Sequence, residues 1–187
     1  MRRRRRPAIR RMGAMKSQQV GPAAQKLLRR GHQLLEIGEH TRAAEIFERL
    51  ARGAEDRGML RHAPNLYLQA ARANLLSGKQ KEGTDLIYCG LNILAGGKRW
   101  PALARAGRRV ITELEELGHQ ELAGEISKWL SSNLPEPLES YHQTQPQKAQ
   151  LPLKCPSCGG ALRPDEVDYL DSTTGECPYC GSAIRGN

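Results

Sequence analysis

Gly31-His-Gln-Leu-Leu-Glu-Ile-Gly38-Glu-His-Thr-Arg-Ala43-Ala-Glu-Ile-Phe47 is the stretch that decides the fold. Its apolar residues recur at three and four positions, the spacing of one helix face. Leu27, Leu28, Leu34, Leu35 and Ile37 stripe the segment before Gly38, and Ala43, Ala44, Ile46, Phe47 and Leu50 stripe the segment after it. Glycine reaches positive φ without steric cost, so Gly38 ends one helix and lets the chain reverse. Thr41 is expected to cap the second helix. A small Ala43 lets the two helices approach closely.

The same arrangement returns twice. Gly38, Gly78 and Gly118 are 40 residues apart, and a small residue follows each by five positions, Ala43, Gly83 and Ala123. An even period of this kind marks stacked helix pairs. Pro22, Pro64 and Pro101 stand at helix starts, where a missing N–H is harmless. The stripes predict six helices in three pairs over residues 21–134: a mainly α fold, an α-α superhelical repeat array, with a small β metal unit behind it. A generic helical bundle is the competing architecture.

That metal unit is announced by Cys155-Pro-Ser-Cys158-Gly159-Gly160 and Cys177-Pro-Tyr-Cys180-Gly181-Ser182, with eighteen residues between them. Each half sets two thiols on a turn, with proline entering and glycine leaving. Two such knuckles supply four soft sulfur ligands, Cys155, Cys158, Cys177 and Cys180, the donor set of a closed tetrahedral zinc site. One structural Zn²⁺ is the expected cofactor. Iron takes the same ligands, and disulfides or a thiol redox pair are further alternatives. Iron is disfavoured by the scarcity of aromatic residues, since only Tyr169 and Tyr179 lie in 153–187. A redox pair is disfavoured by the absence of a βαβ pattern. Between the knuckles, Val167 and Tyr169 alternate as a short strand and Asp171 to Gly175 is turn chemistry, so a small β-hairpin is expected. So short a unit cannot bury enough apolar area alone, and the metal should contribute folding free energy, about 10–16 kcal/mol in comparable peptides.

Charge divides the chain. Net charge is +9, and residues 1–20 carry eight basic and no acidic residues. Arg2, Arg3, Arg4, Arg5, Arg6, Arg10 and Arg11 form a basic arm attracted to nucleic acid or anionic lipid, or else a solvated leader. No apolar segment follows the arginines, so a secretory signal is not indicated. Residues 21–134 carry 17 basic and 13 acidic residues; residues 153–187 carry three and five. Four thiolates around a divalent cation make that last segment more acidic still. It is a poor phosphate binder, which favours protein contact or capping. Residues 135–152 are rich in proline and glutamine and read as a linker, leaving the metal unit free to swing or to fold back on the last helix pair. No apolar run approaches the length of a membrane span. No catalytic motif appears. Lone Cys89 is expected to be a small buried hydrophobe, and His32 a surface residue.

The C-terminal segment resembles a zinc ribbon, in the form CPxCG…CPYCGS. The first helix pair resembles a tetratricopeptide repeat, with Gly31, Gly38, Ala43 and Phe47 at the family's small, glycine and aromatic positions. The second pair keeps Tyr67, Ala71, Gly78 and Gly83, with Ile87 in place of the aromatic, and the third keeps Gly118 and Ala123. The 40-residue period exceeds the family's usual 34. The resemblance implies a face built from the first helix of each pair, used for peptides or partner helices, with His32, Gln69 and Asn74 as its polar candidates. The carboxylate clamp used by part of the family is not expected, because Leu28 and His32 stand at its first-repeat positions. The combination is similar to bacterial regulators that join such repeats to a rubredoxin-like metal domain. It implies a cytoplasmic, non-enzymatic adaptor with a protein partner. A nucleic-acid-binding protein and an iron or redox module are the rival classes.

Overall fold

The computed structural model describes residues 19–141, 150–164 and 166–186. Six helices come first: α1 Pro22–Glu36, α2 His40–Asp56, α3 Ala63–Leu76, α4 Gln80–Gly96, α5 Trp100–Glu116 and α6 Gln120–Asn133. Each packs on its neighbour in sequence. A single-turn 3₁₀ helix, Leu138–Tyr141, follows, and then three short strands: β1 Asp168–Tyr169, β2 Thr174–Glu176 and β3 Ala183–Arg185. They form one antiparallel sheet in the order β1-β2-β3. Asp168 pairs with Glu176, and Gly175 with Ile184. The expected hairpin is therefore β1–β2, and the chain beyond the second knuckle adds β3 as a further strand.

The 40-residue period is a geometric fact of the helices. α1, α3 and α5 end at Glu36, Leu76 and Glu116, and α2, α4 and α6 begin at His40, Gln80 and Gln120. Gly38, Gly78 and Gly118 adopt φ of 80°, 79° and 82°. Behind each, the next amide reaches back to the helix: Glu39 N–H to Leu34 O, Lys79 N–H to Asn74 O, His119 N–H to Leu114 O. That bond satisfies a carbonyl otherwise orphaned at the helix end. The reverse links between pairs use the same device at Gly58 (φ 68°) and, without glycine, at Lys98 (φ 52°).

Three prolines open α1, α3 and α5 as expected. The expected Thr41 cap is not formed: the N-cap residue is Glu39, two residues earlier, α2 begins at His40, and no side chain caps it. Phe47, Leu66, Leu91, Leu103 and Ile126 are fully buried between helices. At Gly83 an added Cβ would sit 2.8 Å from Leu75 and 3.2 Å from the Ala71 carbonyl, so the small residue does admit a close approach there. Cys89 corrects its expectation: it is exposed, on the outer side of α4. Arg108 donates to the Leu138 and Tyr141 carbonyls and ties the start of the linker to α5. No helix among the described residues is long and apolar enough to cross a membrane.

Candidate metal centre and its seat on the helices

The two knuckles are built alike. Cys155 N–H donates to Gly160 O, and Gly159 N–H returns to Cys155 O. Cys177 N–H donates to Ser182 O, and Gly181 N–H returns to Cys177 O. Gly159 and Gly181 take φ of 77° and 70°, the conformation a side chain would resist. These loops bring the Cys155, Cys158, Cys177 and Cys180 sulfurs within 4.8 Å of one another. Cys155 and Cys180 Sγ are 3.8 Å apart, and Cys158 and Cys177 Sγ 3.7 Å. Those separations exclude disulfides, whose sulfurs lie about 2.05 Å apart. A tetrahedron with metal–sulfur bonds of about 2.3 Å has an edge of about 3.8 Å, so the donor set fits one tetrahedral cation. Charge asks for one as well. Hydrogen bonds with the Cys155 sulfur first, with the other sulfurs next and burial after them, raise the Cys158 and Cys177 thiols above their ordinary range, while hydrogen bonds from the other three sulfurs lower Cys155. Four packed sulfurs cannot all ionise without a positive centre among them.

The cysteines are 0–2 % exposed because the unit does not hang from its linker. It lies against α1, α3 and α5, so of the last helix pair it meets α5 and it reaches beyond that pair to the other two. Repeat-equivalent positions hold it. Arg29 on α1 donates to Ser157 O at 2.8 Å, Gln69 on α3 to the Tyr179 hydroxyl at 3.0 Å, and Arg109 on α5 pairs with Glu166 at 2.8 Å. The three residues are 40 apart in turn. Tyr179, 2 % exposed, is the aromatic anchor, and its hydroxyl donates to Glu166 at 2.9 Å. Val20 N–H adds a backbone bond to Cys180 O.

Around this anchor the acidic residues of the unit meet basic residues of the helices. Arg61 reaches Asp168 at 3.0 Å and Glu176 at 3.8 Å, and Arg99 reaches Asp168 at 3.8 Å. Two contacts run in the opposite sense: Arg163 of the unit pairs with Glu113 on α5 at 3.1 Å, and Lys154 with Glu36 on α1. The acid excess of this segment is thus turned largely inward.

His32, Gln69 and Asn74 were expected on an open partner face. Gln69 is engaged with Tyr179. His32 corrects the expectation of a surface residue. It is 8 % exposed, with its ring edge-on to Phe47 at 5.0 Å and to Tyr179 at 5.3 Å. Burial lowers its pKa to about 4, so the ring is neutral at pH 7. Asn74 is buried at the end of α3, where its carbonyl accepts from Ser77 and Lys79. Arg2, Arg3, Arg4, Arg5, Arg6, Arg10 and Arg11 lie outside the described residues. Arg29, Arg61, Arg109 and Glu166 were missed as contact residues. The available signal was that Arg29, Gln69 and Arg109 occupy one position of the 40-residue period, opposite an acidic C-terminal segment.

Comparison with protein-family models, with characterised proteins and with solved structures finds no match to the chain.

Proposed function

We propose that the chain is a non-enzymatic adaptor for protein–protein contact, a tetratricopeptide-like helical array carrying a structural zinc ribbon. The observation that carries the reading is the set of four buried sulfurs at tetrahedral spacing, sealed against the helices. Zinc suits the role: it takes four thiolates in a closed site and has no redox chemistry of its own. It would be held by Cys155, Cys158, Cys177 and Cys180, and would supply charge neutralisation and fixed knuckle geometry. Thiol exchange needs an accessible sulfur, and the seal on the helices argues against it. Free thiols ready for metal suit a reducing compartment such as the cytoplasm. A surface of stacked helix pairs suits a protein ligand.

Elemental analysis of the purified full chain tests the reading. About one zinc per chain is expected, lost in Cys155→Ser. Iron in its place would move the protein to the electron-transfer class, and a chain without metal would refute the ribbon.

A further inference from the structure

Part of the contact with the helices is mounted on the metal knuckles themselves, beside Glu166, Asp168 and Arg163 from the chain between them. Arg29 grips the Ser157 carbonyl, inside the first Cys-x-x-Cys. His62 and Asn65 face the Pro178 carbonyl at 3.3 and 3.5 Å, and Gln69 holds Tyr179, all inside the second. Glu176 directly precedes Cys177. A four-ligand site that fixes the knuckles therefore fixes that part of the contact, and a chain that loses its metal loses the geometry of both turns together.

The helical side of the contact carries the charged and polar groups Arg29, Arg61, Asn65, Gln69, Arg99 and Arg109, beside the apolar Leu94, Ala102 and Ala106. The ribbon's buried apolar residues, Val167, Tyr179 and Ile184 among them, join the core of the array, in which Phe47, Leu66 and Leu91 lie. The polar part of the seam is cleft: an opening of about 40 Å³ lies where Arg61, Arg99 and Arg109 face Glu166 and Glu176, and one of about 230 Å³ beside His32, Gln69 and Tyr179. Water reaches both clefts, which lowers the cost of parting the charged groups that line them.

What the face holds defines what it fits. It takes one phenol against the His32 ring and Gln69, and carboxylates flanking that phenol on Arg61, Arg99 and Arg109. We propose that the α1–α3–α5 face is a docking surface for an acidic, tyrosine-bearing segment of a partner protein, and that the chain's own metal-clamped ribbon occupies it as an intramolecular competitor until the metal is lost. This rests on the zinc-ribbon adaptor reading above. A nucleic acid would satisfy the arginines but offers no phenol for the Gln69 slot, so the protein segment is the better complement.

The test measures fluorescence anisotropy of a fluorescein-labelled glutamate–tyrosine copolymer at physiological salt. The samples are the zinc-loaded full chain, the same chain stripped with a chelator under reductant, and a zinc-loaded Glu166→Lys/Asp168→Lys chain whose ribbon is repelled from the face. The basic arm is present in all three and contributes equally. Both opened forms are expected to bind at least tenfold more tightly than the loaded wild type, and Arg61→Glu is expected to abolish the gain in each. Metal is counted in every sample. A wild type that carries no metal refutes the ribbon reading itself. A loaded wild type whose opened forms show no gain overturns only the docking proposal, as does a gain that survives Arg61→Glu. If stripping melts the helices in circular dichroism, the zinc-loaded double variant decides alone. An equal, Arg61-dependent gain for oligodeoxythymidylate would overturn the assignment to an acidic protein segment.

Discussion

Replacing Arg109 with methionine removes the ion-pair partner that stands 2.8 Å from Glu166, leaving Arg163 among its charged neighbours, while keeping most of the side-chain volume. The carboxylate side chain is 2 % exposed, the guanidinium 13 %, and their atoms are 2.8 Å apart. Removing one member of a buried pair typically costs 3–5 kcal/mol, because the charge left behind stays desolvated. Here the Tyr179 hydroxyl still donates to Glu166, which offsets about 1–2 kcal/mol. A loss near 3 kcal/mol follows, roughly 6–12 °C in Tm for a chain of this size. The loss should fall on the seat of the ribbon before the helices, so amide exchange should rise first in 155–180 and in the Gln69 segment of α3. Denaturation of zinc-loaded protein, with exchange mass spectrometry on the same samples, measures both. Glu166→Gln in the Arg109→Met background should recover most of the loss, since the buried charge is then gone. The reasoning is refuted if Arg109→Met costs under 1 kcal/mol, or if the double variant is no more stable than the single one.

Three further outcomes are expected. At Gly160 an added Cβ would stand 2.6 Å from the Tyr179 ring and 2.8 Å from His32 Nε2. Gly160→Ala should therefore cost about 1–3 kcal/mol by overpacking, read as a lower denaturation midpoint and as loss of exchange protection at Tyr179 with zinc retained. Lys98 is exposed and holds φ 52°, where a side chain costs about 1–2 kcal/mol; Lys98→Gly should raise stability by about 0.5–1 kcal/mol after the added freedom of the unfolded chain is subtracted. An unchanged or lower midpoint would show that the strain is absent. His32 binds its proton less readily folded, at about 4, than unfolded, at about 6.5, because of burial. The unfolded chain thus takes up more protons in that window. Stability is unaffected above pH 7 and falls from pH 6.5 toward 4, by at most about 3 kcal/mol. Acid release of metal is common to wild type and His32→Gln, so the variant should show the smaller difference between pH 7 and 5. Identical slopes in the two proteins would contradict the burial argument.

The four-cysteine cluster and the helical hairpins were legible because their determinants are local. Gly38, Gly78 and Gly118 each decide a turn through their own φ, and the four cysteines need only two short loops and matching partners. The competing local forces misled in small ways. Thr41 has the chemistry of a cap, but α2 starts before it, so its side chain is too far along to serve. Cys89 has the chemistry of a core residue, but the stripe of α4 that is buried runs through Leu86, Ile87 and Leu91 and leaves it outside.

By itself the sequence determined the helical pairs, their period, the place of each reversal and which four sulfurs come together as candidate metal ligands. Each depends on residues within a turn or two of each other, or on one repeated spacing. Tertiary structure decided where the metal unit sits, which charges it spends on the helices, and that His32 is enclosed. Arg29 and Ser157 are 128 positions apart, and Gln69 and Tyr179 are 110. No local pattern records a contact across such a separation. It arises only when three helices present one repeated position to an acidic partner, and the folded chain itself supplies that partner.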